Sequence, residues 1–284
     1  MGVHGRGARA HRRGARAATY HVAVSTLRQL SLAVLLEADP VRKAALAGAL
    51  DQFDGIGADD VIAEPPGVPG RPAAPALVPH TEIKQRSIKS PDGLVALMHA
   101  LAHIEFNAIN LAADLTWRFP GMPDAFYLDW MKVAREEAYH FGLLSDRLRE
   151  LGHAYGDFPA HNALWDMAEK TKHDILARIA LVPRTLEARG LDASPPIRSK
   201  LVSIGDKRGA EILDIILRDE IGHVAIGNHW YGVLCAERGL DPVATYAALA
   251  AEHGAPRLRG PFNLEARRAA GFSEEELARL ALPG

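Results

Sequence analysis

The chain has 284 residues, 48% of them hydrophobic and 24% charged, an ordinary globular composition with enough length to bury a substantial core as one large domain or two small ones. A formal charge of −2 supplies no global field that would draw the chain to nucleic acid or to an anionic membrane. Cys235 is the only cysteine, which excludes an intrachain disulfide and a thiolate cluster made by this chain alone, and a reducing cytoplasm is the expected location.

Residues 1–20 carry five arginines, no acidic residue and four glycines, and the composition predicts a disordered Arg-rich tail. The next division, 21–89, reads as N-terminal helices followed by a proline-rich strap. Leucines from Leu27 to Leu36 recur at helical spacing, and Asp39-Pro40 is a cap followed by proline at the first helical position, predicting a second helix to about Phe53. The apolar run Leu30–Leu36, interrupted by one serine, is far short of the roughly 20 residues that span a bilayer. Six prolines between Pro65 and Pro79 forbid regular structure and predict an extended strap, with a lid over a functional site as its alternative role.

Four long helices are predicted in the third division, 90–239. The first runs from the Ser90-Pro91 cap to about Phe119, with Leu94, Met98, Leu101, Glu105, Ile109 and Ala112 on its inner seam. The second covers about Asp124–Leu151 and is closed by Gly152; the third covers about Asn162–Arg189 and ends at Gly190. Pro183 should kink the third helix by removing a backbone donor one turn before Glu187. Pro195-Pro196 and Gly205-Asp206 should punctuate a short helix before the fourth, about Asp206–Arg238. The last division, 240–284, is a C-terminal helical extension: one helix from Asp241-Pro242 to about Glu252, an Arg/Gly/Pro-rich stretch from Arg257 to Phe272, and a helix Glu274–Leu280 opened by a Ser273/Glu276 capping box.

Two stretches carry chemistry. Glu137-x-x-His140 and Glu220-x-x-His223 each place a Glu-x-x-His pair on an apolar helical seam, so the two side chains of a pair reach one side of their helix. Each is preceded by a lone glutamate at nearly the same offset: Glu105 is 32 residues before Glu137, and Glu187 is 33 before Glu220. Two helices each giving one Glu and two each giving Glu-x-x-His form the ligand set of a carboxylate-bridged di-metal centre in a four-helix bundle. The candidate ligands are therefore Glu105, Glu137, His140, Glu187, Glu220 and His223. Glu137 and Glu220 are expected to bridge, with Glu105 and His140 completing one metal and Glu187 and His223 the other. Oxygen donors with one imidazole per metal suit two iron ions, or manganese, or one of each. Asp219 and Asp214 are candidates to hold the imidazoles' outer nitrogens, and Glu136 is a solvated or outer residue. His99, His103, Tyr139 and the four tryptophans Trp117, Trp130, Trp165 and Trp230 read as packing or surface residues.

These motifs, together with His103-Ile-Glu105, Trp117-Arg118-Phe119, Tyr155-Gly-Asp-Phe-Pro-Ala-His161 and the run Leu217–Asn228, resemble the ferritin-like di-iron carboxylate superfamily and, more narrowly, the bacterial family catalogued as domain of unknown function 455. The resemblance covers about residues 25–280. It implies an all-α, ferritin-like four-helix bundle whose second and third helices are joined by a crossover along the bundle. The ten residues His153–Asn162, fully extended, would reach about 33 to 36 Å, enough to cross a helix of roughly 20 residues. For function it implies an O2-activating oxidoreductase, a hydroxylase or oxidase, acting on a small organic substrate. The alternatives are a ferroxidase or peroxide-reducing iron-handling protein, and a non-catalytic bundle that metal holds together. The expected partners are a small-molecule substrate with O2 or peroxide, an electron-donor protein and a second copy of the chain; no membrane or nucleic acid is expected.

Overall fold

A computed structural model describes residues 1–2 and 25–280; the predicted Arg-rich tail lies largely outside the described residues. Every regular element among them is helical, and the one strand-like feature is an isolated parallel bridge between Leu77 and Ala160. The helices are α1 (Leu27–Leu36), α2 (Pro40–Gly48), α3 (Pro91–Arg118), α4 (Asp124–Glu150), α5 (Ala163–Lys170), α6 (Ile175–Leu181), α7 (Ala188–Ser203), α8 (Lys207–Glu237), α9 (Pro242–Glu252), α10 (Leu264–Ala269) and α11 (Glu274–Leu280), with a π-helical segment, Val182–Glu187, linking α6 to α7. The caps are those expected from the sequence. Ser90 accepts the Gly93 N–H at 3.1 Å, Asp39 that of Arg42 at 2.8 Å, and Ser273 with Glu276 closes the last capping box.

End-to-end contacts give the directions of the long helices. Arg147 near the end of α4 pairs with Asp206, the cap of α8, at 2.9 Å, and Arg238 after α8 pairs with Asp174, the cap of α6, at 3.3 Å. Helix α8 therefore runs against α4 and against α6–α7, so α4 and α6–α7 point the same way. The chain must travel back along the molecule between them. It does so over residues 151–174, which include α5, a longer route than the ten residues 153–162 expected from sequence. This return is fastened to α3 by histidine. The His103 Nε2–H donates to the His161 carbonyl at 3.0 Å, its Nδ1 accepts the Tyr155 hydroxyl at 2.8 Å, and His99 Nε2 accepts the Gly156 N–H at 2.9 Å.

Helices α3 and α4 pack on one another most extensively, α8 packs on α6 and α7, and α4 against α8 joins the two pairs. A continuous core runs from Leu27 and Leu35 through Met98, Phe126, Trp130 and Leu144 to Ile179, Ile212 and Leu234. Helix α3 is long and apolar enough to cross a bilayer, yet it is mostly buried among its neighbours. The N-terminal strap packs across the end of α1, where Gly70 N–H donates to the Leu35 carbonyl at 2.8 Å. A Cβ at Gly70 would stand 2.0 Å from the Leu36 carbonyl oxygen, so only glycine fits.

The third long helix departs from expectation. It breaks at Thr171–Asp174, passes through the π-helical segment that begins at Val182-Pro183, and continues beyond Gly190 and through Pro195-Pro196 to Ser203. Pro183 does distort the helix next to Glu187, and the distortion is an inserted residue: the Thr185 hydroxyl bonds the Ala180 carbonyl five residues back, at 2.7 Å. The proline pair is tolerated because the missing Pro195 N–H is replaced: the Asn263 side chain donates to the Leu191 carbonyl at 3.2 Å. Helix α2 stops at Gly48, short of Phe53, and the Arg/Gly/Pro-rich stretch contains α10.

Candidate metal centre

Helix α3 supplies Glu105, α4 supplies Glu137 and His140, the last residue of the π-helical segment is Glu187, and α8 supplies Glu220 and His223. Five of these are buried, with relative exposures of 4% for Glu105, 1% for Glu137, 0% for His140, 8% for Glu220 and 1% for His223. Glu187 is partly buried and lines the cavity described below.

The side chains converge. Ligand atoms of Glu105, Glu137, His140 and Glu220 all lie within 4.8 Å of one another. His140 Nδ1 is 3.3 Å from Glu105 and 3.4 Å from Glu137, while His223 Nδ1 is 3.0 Å from Glu137 and 3.4 Å from Glu220. The two rings face each other at 5.8 Å between centroids. The outer nitrogens are spoken for: His140 Nε2–H donates to Asp219 at 3.1 Å and His223 Nε2–H donates to Glu136 at 2.8 Å. The acid just before each Glu-x-x-His thus holds the histidine of the opposite helix, a crossed arrangement that leaves both Nδ1 atoms facing carboxylates. Neither Nδ1, nor Glu105 Oε2, nor Glu137 Oε2 has a partner with hydrogen-bond geometry among the described residues.

Charge explains what such a cluster needs. Burial would lower the His140 pKa, but the Glu105 and Glu137 carboxylates overcome it and push the imidazole up to about 11. His223 is likewise raised well above its ordinary value against burial, by Glu137 and Glu220 and the bond to Glu136. Burial, then repulsion from Glu137, raises Glu105 to about 8, and burial with the surrounding carboxylates raises Glu187 well above the usual range. Buried carboxylates and imidazole lone pairs crowded together require cations, and protons and metal ions compete for the same atoms. The donors are oxygen and nitrogen, the set that hard or borderline divalent metals take. Four carboxylates and two neutral imidazoles balance two divalent ions.

A cavity of about 510 Å³ reaches this cluster between α3, α7, α8 and residues 257–262 of the C-terminal extension. Glu105, Glu187 and Glu220 stand in its wall beside Leu101, Ala108 and Ile216. The proline-rich segment 54–83, weighed as a lid, contributes no lining residue.

The remaining candidates separate cleanly. Asp219 holds an imidazole as expected, whereas Asp214 pairs with Arg198 on the surface at 2.5 Å and does not approach the cluster. Tyr139 is 53% exposed instead of packed, and all four tryptophans are buried. His99 and His103 are buried fasteners of the chain return, away from the ligand set. The crossed pairing of Glu136 and Asp219 was signalled in the sequence by an acid preceding each Glu-x-x-His. Nothing in the sequence marked residues 257–262 as a cavity wall.

Comparison with known proteins places the chain among relatives without a described activity. A Haemophilus influenzae protein, named only as uncharacterized, is 49% identical over 213 residues, covering 72% of this chain and 74% of the relative. No solved structure matches the chain. Residues 36–278, which include every candidate ligand, match the family model described as protein of unknown function (DUF455), and the chain belongs to that family.

Proposed function

We propose that the Glu/His cluster is a di-metal carboxylate centre, held in a ferritin-like bundle, and that the protein is an O2-activating oxidoreductase for a small organic substrate. The observation that carries this reading is the pair of buried Nδ1 atoms aimed at carboxylate oxygens without hydrogen bonds among the described residues. With Nε2 carrying the proton given to Asp219 or Glu136, each inner Nδ1 faces carboxylate oxygen, an arrangement that is favourable only when a proton or a metal ion sits between them, and a divalent ion at the same place would displace that proton. The two parallel and two antiparallel helices with a long return between α4 and α6 support the ferritin-like assignment. Glu137, with an oxygen toward each histidine, fits the bridging role, as does Glu220; Glu105 beside His140 and Glu187 across the cavity wall fit the terminal positions.

Two iron ions bound here would supply the electrons and open coordination positions that reduce O2. The chain's own contribution is to orient both imidazoles through Asp219 and Glu136, to keep water from the cluster with Leu101, Ala108 and Ile216, and to shape a substrate space against it. Hydroxylation would consume O2, two electrons and two protons and release water, so an electron-donor protein is part of the proposal. The mostly apolar cavity wall favours an organic substrate over iron or peroxide handling, for which an acid-lined channel is the expected approach. The test is O2 uptake by reduced, iron-loaded protein: wild type consumes O2 and Glu137→Ala does not, whereas a silent wild type would leave only a structural role for the centre.

A further inference from the structure

The cavity is not uniform along its depth. The side chains beside the carboxylates are apolar and buried: Leu101 at 9% exposure, Ala108 at 4%, Leu186 at 9%, Leu213 at 2% and Ile216 at 4%. Its exposed lining residues include three arginines, Arg189 on α7 and Arg257 and Arg259 in the C-terminal extension. None of the three has an ion-pair partner among the described residues. Asp192, the acid at the same rim, is already neutralised, because Arg267 grips both its oxygens at 3.0 and 2.6 Å. The rim therefore presents uncompensated positive charge over an apolar throat whose floor is the candidate metal cluster.

We infer that the cavity takes an amphipathic organic anion, with its apolar body beside Leu213 and Ile216 and its carboxylate or phosphate group held at the rim by Arg189, Arg257 and Arg259. The direction of entry rests on the proposed reaction centre, since that reading makes the buried end of the molecule the end that reacts. The anchoring itself follows from the lining alone. Guanidinium groups bind both carboxylate and phosphate through paired N–H donors, so the two head groups share one recognition chemistry. At about 30 Å³ for each water-sized group, a volume of about 510 Å³ holds a body of this kind without strain.

The experiment is calorimetric titration of the full chain, metal-free and iron-loaded, with decanoate, decyl phosphate, decanol and decylamine. The expected result is that at least one of the two anions binds about tenfold or more tighter than decanol, the scale of a charge-assisted contact, and that decylamine binds weakest. Decanoate and decyl phosphate as separate arms decide which head group the rim prefers. The triple variant Arg189→Ala, Arg257→Ala, Arg259→Ala, all at exposed positions, should lose the preference for anions while keeping its circular dichroism spectrum. Ala193→Trp, an exposed cavity-rim substitution, should weaken all four probes. Equal binding of decanol and the anions, or an anion preference unchanged in the triple variant, overturns the inference. Metal content recorded on the same samples keeps the two readings apart: anion binding without metal uptake refutes the reaction centre only, and metal uptake without anion preference refutes the anchoring only.

Discussion

His140 and His223 each answer to two helices at once. Their inner nitrogens meet carboxylates from their own and neighbouring helices, and their outer nitrogens are held by Asp219 and Glu136 across the α4–α8 interface. Neutralising either outer acid, Asp219→Asn or Glu136→Gln, should lower metal affinity by about 10- to 100-fold with the fold intact, measured by competition with a chelator of known affinity; unchanged affinity would mean that the ring orientation is set elsewhere. A second buried group has a purely architectural role. Asp114 is fully buried and bonds both Arg178 and Arg118, the latter at 2.9 Å, tying α3 to α6. Asp114→Ala leaves the buried Arg178 guanidinium without a carboxylate, while Arg118 keeps Glu64 at 3.0 Å, and should cost about 3 to 5 kcal/mol in urea unfolding. A loss under about 1 kcal/mol would show that Arg178 reaches water.

At the scale of elements, the return from α4 to α6 depends on neutral histidine. The Gly156 N–H donates to His99 Nε2, which must therefore be unprotonated, and burial lowers the His99 pKa to about 4 from the ordinary 6.5. Protonation is thus resisted in the folded chain. The contribution to stability is fully present above pH 6.5 and is lost as pH falls through about 4. His99→Gln keeps an oxygen acceptor for Gly156 but cannot titrate, so its stability should fall less steeply than wild type between pH 6.5 and 4, as read from urea midpoints. Parallel curves would contradict the assignment. The helices that carry Glu-x-x-His were legible in the sequence because spacing within one helix settles which side chains share a face. The third helix was not, since its course is decided by other elements: Asn263, 72 residues away, supplies the donor that lets α7 run through Pro195-Pro196. The π-helical insertion was visible only as Pro183, which marked the place and not the form of the distortion.

The whole molecule is built around a buried cluster of carboxylates and imidazoles that protons or metal ions must neutralise. A continuous apolar core surrounds the cluster, and a second small core, Leu191, Val224, Phe272 and Leu277, seats the C-terminal extension against α7 and α8. That extension also supplies a cavity wall: its length suggested that it folds back over the bundle, while the Arg/Gly/Pro-rich stretch did not show which residues would line the space. Because metal would bind the folded cluster and not a chain whose ligands are dispersed, iron or manganese at 100 times its dissociation constant should stabilise the fold by about 2.7 kcal/mol. Thermal unfolding with and without metal checks this, and Glu137→Ala should show no such gain. The measurement that reaches the central claim most directly is elemental analysis of the full chain after chelation, reloading with Fe²⁺ or Mn²⁺ and gel filtration. Wild type should retain about two ions per chain, with retention abolished in Glu137→Ala and Glu220→Ala; a wild type that retains none, or variants that retain as many, would contradict it.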